Sequence, residues 1–336
     1  MRHRLIAFLA LALGVATALC QEVVQEQPLA RIAFGSCNKD DHPQPLWKPI
    51  LDAKPDLWIW LGDIVYARKG DVTDLARRYQ ALKAQPEYDA LRKQTKVLGV
   101  YDDNDFMPGS GKAESQRLLL DFLDEPAESL RRGQAGAQAS YTFGPAGRQV
   151  KIILLDERFH RDTEGGDMLG AEQWAWLEQQ LTASSADVHL IGSGIQVLAT
   201  EHPYDKWADF TGARRRLLDL IARTQPRNLI FLSGDRHLGE ISRLSEPRFP
   251  QPLYDITSSG MTHHAKDWWF RKNFSQEPNQ YRRGSNFLGL NFGVVEFNWE
   301  TSPATASLQI RSTENAVRIE EKITLDATAT PIKKKN

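Results

Sequence analysis

Asp56–Tyr66 reads DLWIWLGDIVY. Leu57 to Leu61 is apolar without a break and stops at Gly62-Asp63. A short apolar run closed by turn residues is the pattern of a strand buried on both faces. Upstream, Leu46 to Ala53 has helical spacing, and ARIAFGS, Ala30 to Ser36, is a second short apolar run. Strand, helix and strand in that order form a β-α-β unit, which predicts two parallel strands.

The alternation continues downstream. Helices are expected at Asp71–Gln85, near Tyr88–Gln94, and at Glu114–Leu123, Ala171–Leu181 and Arg214–Ala222. Strands are expected at Lys96–Tyr101, Gln149–Leu155, Val188–Ser193, Asn228–Ser233 and Leu253–Thr257. From Gly293 to Leu325 apolar and polar residues alternate, as in antiparallel strands. There is no repeat and no linker, so the chain reads as one α/β domain with a β-rich C-terminal part.

The 336 residues carry a formal net charge of -1, with 41% hydrophobic and 25% charged residues. This near-neutral balance gives no electrostatic reason to expect nucleic acid as a partner. Arg2 and Arg4 followed by the uncharged run Leu5–Leu19, with Ala16 and Ala18 in A-x-A spacing, read as a signal peptide over residues 1–20. The run is shorter than the about 20 residues a spanning helix needs. Cys20 offers lipoprotein anchoring as a weaker alternative to plain export into the periplasm or extracellular space. Residues 28–326 then form the domain, and 327–336, with Lys333 to Lys335, a solvated tail. The remaining cysteine, Cys37, is either a small buried residue or a metal-bound thiolate.

Polar residues gather where the apolar strands end. Cys37 follows the first, Asp63 the second, YDDNDF (Tyr101–Phe106) the third, and Asp235 and His237 a later one. In open α/β sheets ligands sit in the crevice beyond the carboxyl ends of the strands. The two oxygens of Asp63 can bridge two cations. Tyr66, three residues on, is either a rim aromatic or a hard anionic donor that favours ferric iron over zinc. His237 with Asp235 adds a borderline nitrogen to hard oxygen. An EF-hand reading of the acidic stretch fails, because the sixth position is Met107 or Pro108 and not glycine.

The ordered motifs Gly35-Ser36-Cys37, Leu61–Tyr66, Tyr101–Phe106, Leu155-Asp156-Glu157-Arg158, Ser193–Val197, Leu232–His237 and Thr257–His263 resemble the PhoD-like alkaline phosphatase D family of calcineurin-like metallophosphoesterases. The resemblance implies a four-layer α/β sandwich with two mixed sheets flanked by helices. It also implies hydrolysis of phosphomonoesters or phosphodiesters outside the cytoplasm by a metal-activated water. On its motifs Cys37, Asp63 and Tyr66 hold Fe3+. Asp63 bridges to a divalent ion, Ca2+ first, with Zn2+ or Mn2+ as alternatives, and Asp103 lies on that side. Asp235 and His237 close the centre, while Asp102 and Asp105 brace the loop. Arg158, and less directly Arg161 or Arg132, are candidates for the cation that meets phosphate oxygens.

The family usually has histidine where this chain has Asn104, and asparagine cannot donate a proton to a leaving group. His263 and His264, in the Thr-His-His stretch, are either proton donors from another direction or rim histidines. Expected substrates are small-molecule or lipid phosphate esters, and Trp268-Trp269-Phe270 is either core packing or an apolar rim for them. Two rival functions stand: a hydrolase of non-phosphate esters on the same scaffold, and a metal-stabilised binding protein that has lost turnover.

Overall fold

The computed structural model describes residues 23–25, 27–164, 166–265 and 277–326. The expected signal peptide with Cys20, the Trp268-Trp269-Phe270 cluster and the tail from 327 lie outside the described residues.

Two mixed sheets pack face to face. The strands are β1 (Val23–Gln25), β2 (Arg31–Gly35), β3 (Leu57–Leu61), β4 (Lys96–Val100), β5 (Ala139–Phe143), β6 (Val150–Leu154), β7 (Val188–Ser193), β8 (Leu229–Ser233), β9 (Gly239–Leu244), β10 (Leu253–Ser258), β11 (Phe292–Asn298), β12 (Thr305–Arg311) and β13 (Val317–Thr324). One sheet has the order β13-β12-β11-β2-β3-β4 and the other β1-β5-β6-β7-β8-β10-β9. The β2-β3 pair is parallel, as the β-α-β reading requires, with Ala33 opposite Trp58. The last three strands are an antiparallel meander that joins the first sheet beside β2.

The helices are α1 (Trp47–Ala53), α2 (Val72–Lys83), α3 (Pro86–Gln94), α4 (Lys112–Phe122), α5 (Gly170–Thr182) and α6 (Thr211–Thr224). Strand periodicity assigns the layers. Leu57, Ile59 and Leu61 of β3 point into an inter-sheet core with Ile152, Leu154, Leu190, Ile230 and Leu232. Trp58 and Trp60, on the other face, pack with Trp47, Tyr88 and Leu119 under α1 to α4. Ile153, Ile191 and Phe231 turn outward onto Trp174, Leu177 and Leu217 of α5 and α6. The result is the four-layer α/β sandwich, helices on both outer faces. Four expected helices, α3 to α6, start one to three residues earlier than the sequence pattern suggests, and the pattern does not announce β1, β5 and β9.

The parallel strands of both sheets end at one edge. Cys37, Asp63 and the acidic stretch follow β2, β3 and β4, and Asp235 and His237 follow β8 of the facing sheet. The donors therefore meet in the seam between the two sheets.

Candidate metal centre

Each strand end turns sharply. Cys37 (φ 60°), Asp63 (φ 50°), Asp235 (φ 66°) and His237 (φ 56°) all have left-handed backbones. For non-glycine residues that conformation costs of order 1–3 kcal/mol each and persists only where the surroundings enforce it. Here they do. Gly62 precedes Asp63 at φ 80°, and a Cβ on it would sit 2.2 Å from Asp102 Cβ. A Cβ on Gly234 would meet Ser36 Oγ at 2.6 Å and the Leu61 carbonyl oxygen at 2.7 Å. The two sheets thus approach backbone to backbone, and only glycine fits.

Asp105 is fully buried and holds the loops in place. Its carboxylate accepts from the amides of Asp63 (3.1 Å), Ile64 (3.0 Å) and Asp102 (2.7 Å) and from Tyr79 Oη (3.1 Å). It is a brace, in line with the sequence expectation. The Cys37 turn is tied to the Asp63 turn through Asn38, whose amide donates to the Asp63 carbonyl (2.8 Å) and whose Nδ2 donates to the Ile64 carbonyl (3.0 Å).

Two groups of donor atoms result, and Asp63 belongs to both. Cys37, Asp63 and His237 place a sulfur, an oxygen and a nitrogen within 4.8 Å of one another. Tyr66 joins them, its hydroxyl donating to Asp63 Oδ2 (3.0 Å) and lying 3.3 Å from His237 Nε2. Asp63, Asp102, Asp103 and Asp235 form the second, all-oxygen group, also within 4.8 Å. Asp102 is the residue whose place the sequence did not disclose: beyond the loop, its carboxylate stands among the clustered acids. Ser259 was also missed, although Ser258-Ser259-Gly260 stands out as a polar strand end. Its hydroxyl lies 3.2 Å from Cys37 Sγ and accepts from the His237 amide (2.7 Å).

The electrostatics fit bound cations. Burial, then Asp103 and Asp102, pushes the Asp63 carboxyl up to about 7. Burial likewise raises Asp102, and it raises Asp235, which is lifted further by Asp102 and Asp63. Cys37 is raised by burial and then by Asp63 and Asp235, so its thiolate needs a positive partner. Asp102 Oδ2 is buried and has no hydrogen-bond partner. A buried acceptor without a donor is costly, and cations among these atoms would remove that cost. The donor chemistry divides the same way. Sulfur, nitrogen and phenol suit a transition metal, and four carboxylates suit a hard divalent ion.

The remaining expected residues lie at the rim or behind the cluster. Asn104 Nδ2 donates to Asp63 Oδ2 (3.0 Å) and Asp103 Oδ1 (2.8 Å), and its amide donates to Asp63 Oδ1 (3.1 Å). The His263 ring packs edge-on to His237 (4.4 Å between centroids) and Tyr66 (5.1 Å). His264 is half-buried beyond it. Lys69 pairs with Asp103 at the surface (3.2 Å). Arg158 is buried behind the acids, where it pairs with Asp102 and with Asp205 (3.0 Å). Arg161 forks onto Asp205 at 2.8 Å to each oxygen. Arg132 binds Asp121 (2.8 Å) and the Pro126 carbonyl (2.9 Å) near α4.

Two facing mixed sheets with a shared cluster of metal donors at their strand ends define a metallophosphoesterase-like fold. The chain belongs to the PhoD-like phosphatase family, whose model matches residues 32–264. Among solved structures it is similar to PhoD, with a TM-score of 0.65 at 18% identity, covering 90% of this chain and 70% of that one. A dimetal phosphatase from Danio rerio aligns with a TM-score of 0.57 at 16% identity, over 89% of this chain and all of the other. GAP50, described as the anchor in the inner membrane complex of Plasmodium, aligns with a TM-score of 0.58 at 10% identity, covering 89% of this chain and 90% of that chain. These likenesses show the fold. No curated protein matches the sequence. Family membership supports a metal-dependent phosphoesterase, and metals as its cofactors. No helix among the described residues is long and apolar enough to cross a membrane.

Proposed function

We propose that the protein is an exported phosphoesterase that hydrolyses phosphomonoesters, phosphodiesters or both at this cluster. The observation that carries the reading is the membership of Asp63 in two donor groups of different chemistry. Cys37, Asp63, Tyr66 and His237 would hold one ion, with Fe3+ favoured by the hard phenolate of Tyr66. Asp63, Asp103 and Asp235 would hold a divalent ion, Ca2+ before Zn2+ or Mn2+ because the donors are all carboxylate oxygen. Such a pair supplies Lewis-acid charge for the phosphoryl oxygens and makes water acidic enough to attack near neutral pH.

The protein's own groups do the rest. Asn104 fixes both oxygens of Asp63 and one of Asp103, which sets the ligand geometry. Its amide carries no transferable proton, so leaving groups that depart as anions, such as aryl alkoxides, are the favoured substrates. His263, packed against Tyr66 and His237, would be the imidazole that hydrogen-bonds a departing oxygen. The basic and apolar start of the chain supports export.

The test is release of inorganic phosphate from an aryl phosphomonoester, and of the aryl alcohol from an aryl phosphodiester, with elemental analysis of the same preparation. Turnover with two metals per chain is expected. Two bound metals with no hydrolysis of either ester would instead favour the metal-stabilised binding protein, the reading that the loss of a histidine at Asn104 raises.

A further inference from the structure

Asp102 and Arg158, expected as a loop brace and a phosphate-facing cation, form a buried pair at the edge of the acid cluster. Asp102 is 1% exposed, and its two carboxylate oxygens are treated differently. Oδ1 accepts the Arg158 Nε–H, while Oδ2 is buried with no hydrogen-bond partner. One of its oxygens lies within 4.8 Å of carboxylate oxygens of Asp63, Asp103 and Asp235. Space for the side chain comes from two glycines on neighbouring turns. A Cβ on Gly62 would overlap Asp102 Cβ at 2.2 Å, and a Cβ on Gly194 would stand 2.7 Å from Asp102 Oδ1.

Arg158 is itself held. Its guanidinium is buried, and it faces Asp205, which Arg161 grips with both terminal nitrogens. Arg161 lies in turn over the Phe210 ring at 4.6 Å. The order Phe210, Arg161, Asp205, Arg158, Asp102 runs from the helical layer to the acid cluster. An arginine paired with two carboxylates offers little to a phosphate. It is well placed to fix the rotation of one carboxylate, as outer partners of ligands commonly do.

We infer that Asp102 is a ligand of the divalent cation through Oδ2, and that Arg158 is a positioning residue which aims that oxygen by holding Oδ1. The inference rests on the metal-centre reading of the cluster and adds a fourth carboxylate to the divalent site. It leaves the Cys37–Tyr66–His237 side untouched.

The experiment is calcium titration by calorimetry of protein stripped by chelation, with elemental analysis of the iron that remains. It is run on the wild type, Asp102→Asn, Arg158→Gln, Arg158→Lys, the Asp102→Asn/Arg158→Gln double variant and Asp63→Ala. Outer-partner loss at metal sites costs about 10- to 100-fold in affinity, and that weakening of calcium is expected for Arg158→Gln, with at least as much for Asp102→Asn. Iron content should stay at the wild-type level in both. The double variant should bind calcium no more weakly than Asp102→Asn alone, because Arg158 acts only through Asp102. Arg158→Lys, which keeps the charge, guards against a folding defect in the glutamine variant. Unchanged calcium affinity in Asp102→Asn overturns the ligand, and additive losses in the double variant overturn the positioning role. A wild type that binds neither metal, like Asp63→Ala, overturns the metal centre itself.

Discussion

Asn104 Nδ2 lies 3.0 Å from Asp63 Oδ2, so the residue at the position where the family resemblance leads one to expect histidine touches the carboxylate shared by both donor groups. The side chain has become part of the support for the cluster. Asn104→His should restore proton donation to the leaving group. Catalysis by a positioned acid is worth about 10²–10⁴-fold, and a gain toward that range is expected in kcat for an alkyl phosphate. An aryl phosphate should change little. Equal gains on both substrates would count against the missing-acid interpretation.

Asp63→Ala should empty both donor groups together. Lewis-acid stabilisation worth several kcal/mol goes with the metals, and each 1.36 kcal/mol is tenfold, so hydrolysis should fall by roughly 10³-fold or more. Elemental analysis checks the first half and a phosphate-release assay the second. A variant that keeps its full metal content would rule out the bridging role.

The cation-free protein should lose stability as pH rises through neutrality. Asp63 titrates at about 7 when folded against an ordinary value of 3.8. Between those values the folded chain holds more protons than the unfolded chain, so the stabilising contribution is complete at low pH and is lost by about pH 7. Asp102, Asp105 and Asp235 are raised in the same sense. His189 and His202, lowered by burial to about 4 and about 2, act oppositely below their ordinary 6.5. The informative comparison is therefore the chelated wild type against Asp63→Asn in thermal melts from pH 5 to 8. The wild type should show the steeper decline with pH, and added calcium should stabilise it more at pH 8 than at pH 5. Parallel pH curves for the two proteins would contradict the assignment.

Gly62→Ala should destabilise the fold by at least about 2 kcal/mol, from a left-handed backbone and a forced overlap with Asp102. Urea unfolding reads the loss. Gly70→Ala is the control, since its φ is 79° yet nothing lies within 4 Å of the added carbon. It isolates the backbone cost from the overlap.

Much of this arrangement is legible in the sequence because it depends on local pattern. The run Leu57–Leu61 is a strand whichever sheet it joins, and Gly62-Asp63 ends it wherever its neighbours lie. What escaped depends on distant residues. β9, Gly239–Leu244, carries Glu240 and Arg243 and does not look like a buried strand. Glu240 is buried because Gln196 (2.6 Å), Asn279 (3.0 Å) and Arg282 reach it from other segments. β5, ASYTF, has small or polar residues in three of its five positions and gains its place by pairing with β6. Asp102 looked like one more turn aspartate, because its partner Arg158 lies 56 residues further along. The insertion of β11 beside β2 joins residues about 260 apart, with Gly293 opposite Phe34, and no local period can announce it.

The division of donors between the sheets has a mechanical consequence. Cys37, Asp63, Tyr66 and Asp103 belong to one sheet's loops, and Asp235 and His237 to the other's. Bound ions would therefore act as rivets across a joint, since neither half holds a complete set. Opening of that seam would then disturb both donor groups at once. Ions that bind only the assembled seam would add to the free energy needed to part the sheets, on top of the apolar core that already joins them.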